Sequence, residues 1–98
     1  MKERHYLIVL KPPRATFAED ATEAESAIIG EHFEYLKRLL SDGVLVLAGR
    51  TEDASMGLVV FAAASDAAAE AVMKADPAVK AGVFSAKLYP YRLALLKS

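Results

Sequence analysis

His32, in the run IIGEHFEYL, and Asp76, directly before Pro77 in KADPAVKAGVF, are the residues of this chain whose types suit each other chemically. A carboxylate that accepts one imidazole N–H fixes the tautomer of the ring and leaves the second nitrogen free to take or give a proton. Such a pair acts directly on a small substrate. No convincing nucleophile accompanies it: Ser41, Ser55 and Ser85 stand in no motif, there is no Gly-x-Ser-x-Gly elbow, and the chain has no cysteine. Arg14, Arg50 and Pro77 are the candidate substrate-contacting residues. Each of these residues also has a plainer reading. A histidine at the border of an apolar helix stripe is commonly structural, Asp before Pro commonly caps a turn, and a loop arginine commonly faces solvent. His5, at a strand end, has no chemical task assigned. With only two histidines and no spaced ligand set around either, no metal is expected, and no haem or flavin signature calls for a cofactor.

Whether His32 and Asp76 meet depends on the elements that carry them. HYLIVLK (5–11) reads as a first strand, ended and stiffened by Pro12 and Pro13. RATFAEDA reads as a loop. Thr22 and Glu25 have capping-box spacing and start a helix near Glu23, with Ile29, Phe33, Leu36 and Leu40 as its core stripe and Glu31, Glu34 and Arg38 opposite. Asp42-Gly43 ends it, the glycine suited to a left-handed cap. Strands follow at 44–48 and 57–63, with Gly49 and Arg50 leading into the loop TEDAS between them. Ser65 caps a second helix that stops before Pro77, since a residue preceding proline is pushed out of the helical region. GVFSAKLYPY (82–91) reads as a fourth strand and RLALLKS as a tail. The order strand, helix, strand, strand, helix, strand predicts a ferredoxin-like α+β sandwich, a four-stranded antiparallel sheet with both helices on one face. Right-handed crossovers then bring the start of the first helix and the end of the second to one end of the domain. His32, near that helix start, and Asp76 share this rim with the 12–22 loop and the turn around Arg50.

The composition bounds the rest. With 98 residues, 54% apolar and 26% charged, and a net charge of −1, the chain reads as one domain spanning 1–98. Interspersed charge gives no basic stripe for nucleic acid. Strand three, MGLVVFAA, also lacks the aromatic pair and the cation that an RNA-binding sheet of this strand order uses. The apolar run Tyr6 to Leu10 is too short for a signal peptide or a membrane span, and a cytoplasmic location is expected. YLIVL, VLVLA and LVVFAA are apolar at both parities, whereas a sheet with one wet face alternates. Both faces need cover, and two helices cover only one. The expectation is a homodimer packed sheet to sheet, the other reading being that the tail folds over the open face.

Three segments resemble the YCII-related family of small bacterial proteins: GEHFEYLKRLLSDGVLVLAG, ADPAVKAGVF and KLYPY. The segments lie within residues 30–91, and the resemblance extends over residues 5 to 92. The resemblance implies the dimeric α+β barrel arrangement, a pocket in each subunit, and His32 and Asp76 as the matching positions of a His-Asp catalytic pair. It implies little about substrate: a few relatives act on chlorinated aromatic breakdown products or resemble lactone isomerases of the same barrel type. Many members continue Ala-Gly-Pro where this chain has Ala48-Gly49-Arg50, an added rim cation that suits an anionic ligand or faces solvent. Two functions follow from these readings. One is a cofactor-free lyase, isomerase or dehydrohalogenase with His32 as proton acceptor and Asp76 as its orienter. The other is a non-catalytic module that binds or senses a small acidic metabolite.

Overall fold

A computed structural model describes residues 4–97. In chain order the elements are β1 (Arg4–Lys11), α1 (Phe17–Asp20), α2 (Glu23–Ser41), β2 (Leu45–Arg50), β3 (Gly57–Ala63), α3 (Asp66–Ala75), α4 (Pro77–Lys80) and β4 (Ser85–Tyr91). The strands form one antiparallel sheet in the order β2-β3-β1-β4. This is the expected ferredoxin-like α+β arrangement, with two one-turn helices, α1 and α4, added at segments that read as irregular. Four residues are too few to show a helical period, which is why neither helix is visible in the sequence pattern.

The start and stop of α2 follow from its caps. The Thr22 side chain accepts from the Glu25 N–H at 3.1 Å, and the Glu25 carboxylate accepts from the Thr22 N–H at 2.9 Å. At the other end Gly43 takes φ +76°, so that its N–H reaches the Leu40 carbonyl and the Val44 N–H reaches that of Leu39. A residue with a Cβ is strained in that conformation.

The core lies between the helices and one sheet face: Tyr6, Ile8 and Leu10 of β1, Val59 and Phe61 of β3, Leu36 and Leu39 of α2, and Ala69 of α3. Fully burying a large side chain of this kind stabilises the fold by about 1.5–3 kcal/mol. The stripe of α2 differs from the expected Ile29, Phe33, Leu36, Leu40. Phe33 and Leu40 are 59% and 58% exposed, and the inward face instead runs through His32, Tyr35, Leu36 and Leu39. Two polar side chains sit in this stripe because each has a partner, the Tyr35 hydroxyl donating to the Val72 carbonyl at 2.7 Å and His32 bonding Asp76. His32 is thus the tenth residue of a 19-residue helix, in mid-span rather than near its start.

Strand β2 carries an irregularity that sets which side chains face the helices. Leu45 pairs with Phe61 and Leu47 with Val60, so two residues of β2 advance against one of β3. This is the signature of a β-bulge, which re-aims the residues beyond it. Ala48 and Arg50, paired with Val59 and Gly57, fall on the helix side, and Leu47 falls on the outer side. β4 begins at Ser85 rather than at residue 82, because the N–H groups of Val83 and Phe84 both go to the Ala78 carbonyl. The far sheet face presents Leu7 and Val9 from β1, Leu58 and Val60 from β3, Leu47 from β2, and Tyr89 and Tyr91 from β4. On this face Leu47, Leu58, Tyr89 and Tyr91 stay exposed while Val60 is buried. Residues 92–97 have no regular structure and Leu95 is 94% exposed, while Ser98 and residues 1–3 lie outside the described residues. Among the described residues no helix is long and apolar enough to cross a membrane.

Candidate functional site

The site is built at the joint between α3 and α4. Pro77 forces Asp76 out of the helical region to φ −63°, ψ 124°, which ends α3, and the same proline occupies the first turn of α4. Asp76 therefore closes one helix and caps the next, its Oδ1 accepting from the Ala78 N–H at 2.8 Å. Its carboxylate also meets His32 of α2, with Nδ1 at 2.7 Å from Oδ2 and 2.8 Å from Oδ1. Asp76 is 5% exposed, the one buried polar residue among those described. Burying a carboxylate is costly unless it is hydrogen-bonded, and here the imidazole and a backbone amide supply the bonds. One carboxylate thus makes both contacts, capping the turn at Ala78 and hydrogen-bonding the His32 ring.

With Nδ1 facing Asp76, the tautomer carries its proton there and donates it to the carboxylate. Nε2 has no hydrogen-bond partner among the described residues and is not sealed from solvent. It is the nitrogen left for the pocket that His32 lines, a cavity of about 570 Å³ between α1, α2 and the ends of β1, β2 and β3. That volume is ordinary for a small-molecule site. The walls are apolar, with Phe17, Ile29, Met56 and Phe84 prominent. Phe84 sets its ring edge-on to His32 at 5.4 Å between centroids and 90° between planes, and edge-on to Phe17 at 6.0 Å and 69°. Neither phenylalanine shows its role in the sequence. The one available signal for Phe84 is its place shortly after the Asp-Pro turn that carries the acid.

The remaining candidates separate. Arg50 lines the pocket, as the bulge in β2 directs, and its Nη1 donates to the carbonyls of Thr51 and Glu52 at 3.2 and 3.3 Å. Arg14 does not line it. Its guanidinium forks onto Glu25 at 2.8 and 3.0 Å and reaches Asp20 through Nε at 2.8 Å, which ties the α1 segment to the start of α2. This bidentate bond, with the Thr22 N–H second, holds the Glu25 carboxyl down at about 2, and the Thr16 hydroxyl and then Arg14 lower that of Asp20. Pro77 also stands outside the pocket lining and acts through the backbone of Asp76. In the β2–β3 loop the Thr51 and Ser55 hydroxyls hold the Asp53 carboxyl down at about 2, and Ala54, which lines the pocket, adopts φ +61°.

Residues 6–90 match the family described as YCII-related domain. The chain belongs to this family. No curated protein matches it. Among solved structures, the YCII-related chain is similar to 5-chloro-2-hydroxyhydroquinone dehydrochlorinase from Burkholderia phenoliruptrix AC1100, determined in complex with 2,5-dihydroxybenzoquinone. The TM-score is 0.70 at 18% identity, over 92% of this chain and 95% of that one, which establishes the shared fold.

Proposed function

We propose that this YCII-related protein is a cofactor-free enzyme of lyase, isomerase or dehydrohalogenase type that uses His32 to move a proton on a small anionic substrate. The observation that carries this reading is the asymmetry of the ring: Nδ1 is held 2.7 Å from a buried carboxylate, while Nε2 has no partner among the described residues and belongs to a residue lining a pocket. That is the arrangement of a general base whose orientation is fixed in advance. Nε2 takes a proton from the substrate, and the electron pair of the broken bond forms a new π bond. In an elimination the pair of an adjacent carbon–halogen bond leaves with the halide, so the net loss is HX. In an isomerisation Nε2–H returns its proton at another atom of the same conjugated system. The proton on Nδ1 stays on the ring throughout, donated in a hydrogen bond to Asp76, whose carboxylate faces the cation that forms. Similarity in fold to a dehydrochlorinase supports the elimination chemistry as a starting point.

The assay is chloride release from 5-chloro-2-hydroxyhydroquinone and related halogenated ring acids by the wild-type protein and His32→Gln. Loss of turnover in the variant, with an unchanged melting temperature, is the expected result. Equal turnover by the two proteins rejects His32 as the base. Binding of such acids, all recovered unchanged after prolonged incubation, assigns the pocket instead to a binding module.

We also infer that two copies pack their open sheet faces together. Support comes from the apolar side chains of Leu7, Val9, Leu47, Leu58 and Val60 on that face, and from the exposure of Leu47 and Leu58 there.

A further inference from the structure

We propose that Arg50 makes this pocket selective for organic anions with a flat aromatic body, the guanidinium holding the anionic group while the ring lies against Phe17 and Phe84. The proposal rests on the reading of the pocket as the substrate site and adds the charge and shape of the ligand.

Two arginines stand at this end of the molecule in opposite electrostatic states. Arg14 is neutralised by Asp20 and Glu25. Arg50 makes no ion pair among the described residues, and its hydrogen bonds go to two backbone carbonyls through Nη1 alone. Nε and Nη2 have no partners there. The nearby acids do not serve it: Asp53 is engaged by the Thr51 and Ser55 hydroxyls, and Glu52 offers Arg50 its carbonyl but forms no salt bridge with it. Among the described residues no carboxylate lines the pocket, and His32 and Arg50 are the only titratable side chains that do. An arginine fork fixed through one nitrogen and open at the others is suited to a planar oxyanion.

Its placement follows from the bulge, which turns Arg50 to the pocket side, and from its partner in β3, Gly57, which has no side chain to flank the stem. The aromatic part of the proposal comes from Phe17 and Phe84, which line the same pocket. Phe84, already edge-on to Phe17 and His32, gives a narrow aromatic surface that a flat ring covers well and a short aliphatic acid does not. A ring seated there lies beside His32 while its anionic substituent reaches Arg50.

The test is calorimetric titration at low ionic strength with benzoate, its neutral counterpart benzamide, and acetate. Wild-type protein is expected to bind benzoate about tenfold or more tightly than either. Arg50→Gln should weaken benzoate about tenfold and leave benzamide within about twofold, and raised salt should weaken benzoate only where Arg50 is present. Arg50 is exposed, so the variant is expected to melt with the wild type. Equal binding of benzoate and benzamide, an unchanged benzoate affinity in Arg50→Gln, or no benzoate binding at millimolar concentration overturns the proposal. Acetate binding as tightly as benzoate overturns its aromatic part. Charge-selective binding in a protein that turns nothing over leaves this inference standing and removes the catalytic one. Turnover that depends on His32 but ignores ligand charge does the reverse.

Discussion

At the scale of single residues, Asp76 and Ala54 show opposite relations between sequence and conformation. The conformation of Asp76 is readable because proline restricts the residue before it, and because a carboxylate placed there must find donors. Replacing it tests both of its roles separately. Asparagine is as good a helix cap as aspartate, so Asp76→Asn should keep most of the stability while losing the negative charge that orients and faces His32. Turnover is expected to fall by about 10²-fold or more, with a melting temperature that moves little, when both are measured on the same preparation. Asp76→Ala removes the cap as well and should lower stability by about 1–2 kcal/mol in urea denaturation. Ala54, by contrast, holds φ +61° with nothing in its side chain to announce it. The conformation is imposed by the loop, in which the Ala54 N–H bonds the Thr51 carbonyl at 2.9 Å and Asp53 gathers both hydroxyls. Ala54→Gly should therefore raise the urea midpoint, by up to about 1 kcal/mol of stability, and an unchanged or lowered midpoint would show that the turn carries no strain.

At the scale of elements, what was legible had a local physical cause. The capping box of Thr22 and Glu25, the left-handed Gly43 and the break at Pro77 each act within one turn of chain, and each stands where the residue types place it. The bulge in β2 was not legible, because VLVLAGR is apolar at both parities and gives no clue to which residue is the extra one. The rotation of the α2 stripe was hidden for another reason. His32 and Tyr35 count as polar until their distant partners, Asp76 and the Val72 carbonyl, are known. The joint between α1 and α2 carries a pH dependence whose direction is fixed. Glu25 titrates near 2 in the folded chain against an ordinary 4.5, so its stabilising contribution is complete above about 4.5 and fades as pH falls towards 2. Asp20, also lowered, contributes in the same sense. Glu25→Gln should be less stable than wild type at neutral pH. Its melting temperature should fall less steeply than that of the wild type between pH 4.5 and 2, and parallel curves would exclude the Arg14 pair as a source of acid sensitivity.

At the scale of the whole molecule, His32 and Asp76 meet, although from the middle of α2 and not from its start: helix α2 and the α3–α4 joint deliver them to one place, with the 12–22 segment and the β2–β3 loop closing the pocket around the histidine. The unfilled requirement is the far sheet face. Sedimentation at micromolar concentration should show a dimer for the wild type, and Leu7→Lys, near the centre of that face, should shift it to monomer with an unchanged far-ultraviolet circular dichroism spectrum. A monomeric wild type would leave the apolar strands without their proposed cover. One feature of the α3–α4 joint gives a way to follow the site with no substrate in hand. The Ala78 amide is tied to the same carboxylate oxygen that sits 2.8 Å from His32, so its proton is shielded while the acid stays in place. Hydrogen–deuterium exchange at that single amide should thus act as a resident gauge of an assembled dyad, slowing when a ligand firms the joint and quickening when Asp76 lets go.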